Sequence, residues 1–172
     1  MIKKIVSGGQ TGADRGGLDA AMDAGVPHGG WCPKGRLAED GPIPARYQLQ
    51  EMETSSYIHR TEANVVDSDA TVVLCFGEPT GGSLHTVELC EQHGKPCLIL
   101  DLKVLGDDLA ADDIIMWLRE VRTTDDGPRT TEGVVLNVAG SRESKDAGLA
   151  DRVRDVIGLV IEKGRGQITT PR

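Results

Sequence analysis

Residues 70–76, Ala-Thr-Val-Val-Leu-Cys-Phe, make a continuous apolar run relieved only by Thr71. A strand with that pattern has no solvent face; it belongs in a parallel sheet covered by helices on both sides. Residues 2–6, 96–100 and 133–138 are further apolar runs of strand length. Between the runs, apolar residues recur at helical spacing: Leu18, Ala21 and Met22; Ile114, Trp117, Leu118 and Val121; Leu149, Val153, Val156, Ile157 and Val160. Residues 15–24, 57–67 and 84–92 also read as helices, the first and third stopped by Gly25 and Gly94. Strands separated by helices predict a single α/β domain: a doubly wound, mainly parallel sheet with right-handed crossovers and flanking helices. The expected domain covers residues 1–163, with 123–131 a polar connector and 164–172 a flexible tail.

In such sheets ligands collect outside the carboxyl ends of the strands, near the point where strand order reverses. Three turns leave predicted strands there and open helices: residues 7–15, 77–86 and 139–146. Glycine lets backbone approach a ligand without a Cβ, and a helix N-terminus favours an anion. The first turn has neither G-x-G-x-x-G spacing nor a G-K-[S/T] loop. The expectation is a phosphate-bearing small molecule held by Gly8, Gly9, Gln10, Thr11 and Gly12 and by Gly81, Gly82 and Ser83. Arg15 or Arg142 would clamp it bidentately.

Asp14, Thr86 and Ser141 complete that set, although Asp14 reads more readily as a helix cap or turn residue. Lys34 and Arg36 follow Trp31, and this trio either stacks on and neutralises a heterocyclic phosphate or caps a satellite cluster. Glu88 reads either as a general base or sugar-hydroxyl partner, or as an ordinary solvent-facing glutamate. Arg142 has the alternative of pairing with Glu143. Residues 34–56 form a long polar stretch without a clean period, either a binding loop or a surface excursion.

Composition narrows the partners. Net charge is −8, which argues against nucleic acid. Residues 1–50 carry six Lys/Arg and five Asp/Glu, hence +1; the rest carry 13 against 22, hence −9. The relatively basic part is the one with the first glycine turn, as suits a small anionic ligand. Four cysteines (Cys32, Cys75, Cys90, Cys97) show no C-x-x-C pair, so no dedicated metal site is expected. No run approaches the ~20 apolar residues of a membrane span, and no signal-peptide core is evident, so the expected location is cytoplasmic.

Several longer segments resemble one family. Ser7-Gly-Gly-Gln-Thr-Gly-Ala-Asp-Arg15, Pro27-His-Gly-Gly-Trp-Cys-Pro-Lys-Gly-Arg36 and Ala38-Glu-Asp-Gly-Pro-Ile-Pro44 are similar to the molybdenum cofactor carrier proteins. So are Arg60-Thr-Glu-Ala-Asn-Val-Val-Asp-Ser-Asp69, Thr80-Gly-Gly-Ser83, Gly94-Lys-Pro96 and Asn137-Val-Ala-Gly-Ser-Arg-Glu-Ser144, collinear over most of residues 2–161.

The resemblance implies a circularly permuted member of the Rossmann-like superfamily that includes the LOG and lysine-decarboxylase-like proteins. The strand ending in Gly140-Ser-Arg142 would correspond to the first strand of unpermuted relatives. It further implies a homo-oligomer, dimer or tetramer, carrying molybdenum cofactor (molybdopterin) or a related pterin or nucleotide phosphate, with molybdoenzymes as partners. The alternative it implies is an enzyme, a nucleoside 5′-monophosphate phosphoribohydrolase using Glu88 and Arg142. Gly81, Gly82 and Glu88 match the LOG motif P-G-G-x-G-T-x-x-E, whereas Thr80, Leu84 and His85 replace its Pro, Gly and Thr. The binding protein is the reading favoured over the hydrolase; a nucleotide sensor is the third.

Overall fold

The structure, a computed structural model, describes residues 1–123 and 133–166. In chain order the elements are β1 (Ile2–Val6), α1 (Ala13–Asp23), β2 (His28–Gly29), β3 (Trp31–Cys32), β4 (Leu37–Ala38), β5 (Gly41–Pro42) and β6 (Gln50–Glu51). They continue with α2 (Tyr57–Val66), β7 (Ala70–Cys75), α3 (Gly82–Gln92), β8 (Cys97–Asp101), α4 (Asp107–Thr123), β9 (Val134–Gly140) and α5 (Leu149–Gly166).

Five strands form a parallel sheet in the order β2-β1-β9-β7-β8. The last strand is thus the central one. Counted from β9, the order becomes 3-2-1-4-5, that of a Rossmann-like doubly wound sheet whose first strand has moved to the end of the chain. Strand order reverses between β9 and β7. Every residue of β7 is buried, as its unbroken apolar sequence requires.

The larger core lies on the face covered by α1, α4 and α5, where Ile114, Leu118, Val153, Ile157 and Val160 pack on Val72, Leu74, Leu136 and Val138. Gly16 and Gly17 explain how α1 sits so close: a Cβ on either would run into Val153 of α5 or Val138 of β9. A smaller cluster of Val65, Leu89, Cys90 and Cys97 ties α2 and α3 to the opposite face.

Three expectations change. Residues 34–56 are not wholly irregular: β4 and β5 make a short antiparallel hairpin, and β6 pairs in parallel with β3. Arg36 organises this excursion by donating to the carbonyls of Ile43, Pro44 and Tyr47 at 2.9, 3.0 and 2.9 Å. The N-cap of α1 is Gly12, not Asp14, whose carboxylate turns back instead to the Gln10 N–H at 3.2 Å. Helix α5 continues through Gly166, because Ile161 and Gly164 extend its buried stripe into the expected tail. Residues 124–131 of the expected connector and 167–172 of the expected tail lie outside the described residues.

Candidate functional site

A cavity of about 230 Å³ opens at the carboxyl ends of β1, β7 and β9, where the strand order reverses. Gln10 and Asp14 line it from the first turn, Thr80, Gly81, Gly82 and Ser83 from the second, and Gly140, Ser141, Arg142 and Lys145 from the third. All three turns therefore meet there. Tyr57, Arg60 and Thr61 at the start of α2 close the remaining side.

The floor of the cavity is a buried ion pair. Arg60 Nη1 lies 3.2 Å from Asp14 Oδ2, with both side chains largely shielded from solvent. Burial pushes the Asp14 carboxyl above its ordinary range, opposed by Arg60 and by the Gln10 N–H. Three buried polar atoms beside this pair have no protein partner: Gln10 Nε2, Arg60 Nε and Ser141 Oγ. Gln10 is 5% exposed and Ser141 4%, so neither group is simply hydrated at the surface. Unpaired buried donors cost about 1–3 kcal/mol each, and all three belong to residues that line this cavity.

The rim is cationic. The Arg142 guanidinium stands 5.4 Å from the Tyr57 ring centroid and Arg60 5.7 Å from the same ring. Lys145 Nζ donates to Thr80 Oγ1 at 2.5 Å. Neither Arg142 nor Lys145 has a carboxylate within ion-pair distance among the described residues, although Arg142 lies within the electrostatic reach of Glu39. The N-terminus of α3 faces it too, with Gly81 as N-cap and open space where a Cβ of Gly81 or Gly82 would stand. Ser83 is already engaged, its hydroxyl donating to Thr80 O at 2.8 Å and accepting from Thr80 N–H at 3.0 Å. The lining residues include no cysteine or histidine. They fit a phosphate group rather than a metal centre.

Other candidates are committed elsewhere. The first glycine turn is packed with protein: Gly8 admits the Arg60 side chain, Gly9 faces Ile43 and Leu49, and Gly12 lies against the backbone of residues 141–143. Thr11 Oγ1 donates to Glu39, whose carboxylate also accepts from the Ser144 N–H at 3.1 Å and hydroxyl at 2.5 Å. Burial works against ionised Glu39, but these bonds prevail and hold its carboxyl below the ordinary range.

Arg15 forms a bidentate pair with Asp40 at 2.5 and 2.7 Å. Arg36 serves the 37–51 excursion, and Lys34 is exposed and outside the cavity lining. Thr86 is buried and donates to Gly82 O at 3.0 Å. Glu88 lies on the outer face of α3 beside His85, 62% exposed and outside the lining. Arg142 makes no pair with Glu143, which instead accepts from the N–H groups of Gly148 and Ala150.

Sequence reasoning missed Tyr57, Arg60, Thr61, Thr80, Gly140 and Lys145 as lining residues. The signal available was the helical spacing of Arg60, Asn64 and Asp67, although only Arg60 reaches this cavity. Asn64 and Asp67 instead fix Trp31, through its backbone N–H at 2.8 Å and its indole N–H at 2.7 Å. A wider groove of about 760 Å³ runs between α1 and α5, but its Arg154 is already paired with Asp23 at 2.6 Å. No helix among the described residues is long and apolar enough to cross a membrane.

Comparison with known proteins agrees with the permuted strand order. No curated protein matches the chain. A crystal structure described as a "Putative molybdenum carrier protein" from Syntrophus aciditrophicus SB is similar at 45% identity, covering 92% of this chain and 94% of that one, with a TM-score of 0.83. The model of the circularly permutated YpsA SLOG family matches residues 5–161. With nine-tenths of its length matched and β9 standing in the first-strand position, the chain belongs to the circularly permutated YpsA SLOG family.

Proposed function

We propose that this protein binds and carries a phosphate-bearing small molecule of the pterin or nucleotide class, molybdenum cofactor first among them, with its phosphate in the cavity between α2, α3 and β9. The carrying observation is that Gln10 Nε2, Arg60 Nε and Ser141 Oγ, buried and unpartnered, belong to residues that line one cavity together with the cations Arg142 and Lys145. Charged hydrogen bonds from these groups and the α3 N-terminus suit a phosphate dianion. The similarity to a protein named as a molybdenum carrier supports the choice of cofactor.

At about 230 Å³ the cavity has room for the phosphate and its neighbouring carbons, leaving the heterocycle to project past Tyr57. Glycosidic hydrolysis finds less support, because Glu88 faces solvent and the lining carboxylate, Asp14, is committed to Arg60. Anaerobic equilibrium dialysis against molybdenum cofactor, with and without AMP as competitor, tests the proposal. Saturable binding relieved by intact AMP supports it; no retention of either compound removes it, and release of adenine would reassign the protein as a hydrolase.

A further inference from the structure

The stretch from Pro27 to Arg36, which brings an aromatic plane and two cations together in sequence, takes no part in lining the phosphate cavity. Its Trp31 instead lines a second cavity, of about 320 Å³, on the α2 face of the sheet over β1 and β2. Ile5 packs into the larger core, so the alternation of β1 turns Lys4 and Val6 to this opposite face. There α3 packs on β7, β8 and β9, and α2 against β3. The cavity opens beyond them, with Lys4, Val6, Gly29 and Val135 among its lining residues.

Its aromatic wall is fixed in advance. Trp31 is held to α2 by three bonds: its N–H donates to Asn64 Oδ1 at 2.8 Å, its carbonyl accepts from Asn64 Nδ2 at 2.9 Å, and its indole N–H donates to Asp67 Oδ2 at 2.7 Å. Asp67 Oδ1 accepts no bond from a described residue. Lys4 is half-buried on an internal strand, and no carboxylate of a described residue stands within ion-pair distance of it. A Cβ on Gly29 would come within 3.1 Å of Lys4 Nζ, so the ammonium lies against the β2 backbone that also lines the cavity. The side-chain amides of Gln48 and Gln50, two further lining residues, are unbonded among the described residues.

We propose that this cavity is a second ligand site, taking a neutral bicyclic lactam (a ring of the hypoxanthine or guanine type) that stacks on Trp31, with its carbonyl on Lys4 and its ring N–H on Asp67. An ammonium only donates and a carboxylate only accepts, so the two match a ring that presents a carbonyl beside an N–H. Their charges are opposite, which suits a neutral ring better than an anion. The half-buried indole supplies the flat apolar surface on which such a ring stacks. The Gln48 and Gln50 amides, donor and acceptor at once, complement its remaining polar edge. The volume falls at the lower end of the range of small-molecule pockets, as a bicyclic ring requires. Adenine lacks the carbonyl, so AMP is expected to leave this cavity alone.

The test titrates the ¹⁵N-labelled full-length protein with inosine and, separately, with adenosine, which has the same sugar but no lactam. Neither carries a phosphate, so the outcome is independent of the phosphate cavity. The expected result with inosine is saturable shifts at Gly29, Gly30 and both the backbone and indole N–H of Trp31. Adenosine is expected to bind about 10-fold more weakly, and Lys4→Met to weaken inosine by about the same factor, the loss of one charge-assisted hydrogen bond. Equal affinity for the two nucleosides, indifference to Lys4→Met, shifts centred on Gly82 and Arg142, or no saturable shift at millimolar inosine would each overturn the proposal. The wild-type comparison of inosine with adenosine decides by itself if the variant folds poorly.

Discussion

Arg60 lays its guanidinium where a side chain on Gly8 would stand, and from there reaches Asp14 Oδ2 at 3.2 Å. A glycine that reads in sequence as a ligand cradle is a cradle for an arginine. The first glycine turn thus meets the cavity through Arg60. The second, around Gly82, is open to it directly.

Gly8→Ala and Gly82→Ala should therefore fail differently. The alanine at position 8 displaces Arg60 and strands a buried charge, with an expected loss of about 1–3 kcal/mol by chemical denaturation and weaker AMP binding. The alanine at position 82 meets no protein atom within 4 Å, so stability is expected to stay within about 0.5 kcal/mol while affinity falls. Equal destabilisation by both would contradict the assignment of the two turns.

Arg142 is exposed, its guanidinium over the Tyr57 ring and within the electrostatic reach of Glu39, so its removal should cost binding rather than folding. Arg142→Ala is expected to weaken AMP binding about 10- to 100-fold, the loss of one charge-assisted contact, with an unchanged denaturation midpoint. Glu88→Gln is expected to bind as the wild type does. A calorimetric titration in which Glu88→Gln is the weaker of the two would overturn this division.

Glu39 links residues from two ends of the chain through Thr11 and Ser144. Its folded-state carboxyl titrates below the ordinary 4.5, so its bonds contribute stability above that pH. The contribution is lost as pH falls through the lowered folded value. Glu39→Gln is expected to be less stable at neutral pH and to show a flatter acid limb below about 4.5. Parallel stability–pH curves for the two proteins would refute it.

Asn64 replaces a missing strand neighbour. It accepts from the Trp31 N–H at 2.8 Å and donates to Trp31 O at 2.9 Å while 3% exposed. Asn64→Leu leaves both part-buried backbone groups without this partner, an expected cost of about 1–3 kcal/mol in urea unfolding. A loss below about 0.5 kcal/mol would show that water or a shifted loop takes over these bonds.

Much of the fold was legible because its signals are periodic and local. The unbroken run at β7 demanded a two-sided sheet, and the stripe from Leu149 to Val160 demanded α5. The permuted strand order came from resemblance alone, since no local pattern tells whether β9 is central or at an edge. At the site, the three turns were legible as glycine and polar breaks after apolar runs. Which glycines face a ligand was not: Gly8 and Gly82 look alike in sequence and differ only in that α2 delivers Arg60 to one of them. Arg15 and Arg36 illustrate the same limit, because an arginine bound to Asp40 or to backbone carbonyls is locally indistinguishable from one awaiting a phosphate.

Titration of the ¹⁵N-labelled full-length protein with AMP, followed by amide chemical shifts, tests most directly whether the α2–α3–β9 cavity is the binding site. The expected result is saturable shifts concentrated at Gly81, Gly82, Ser83, Ser141, Arg142 and Lys145, and attenuated in Arg142→Ala. Shifts centred on Lys34, Arg36 and Trp31, or none at millimolar AMP, would contradict the account.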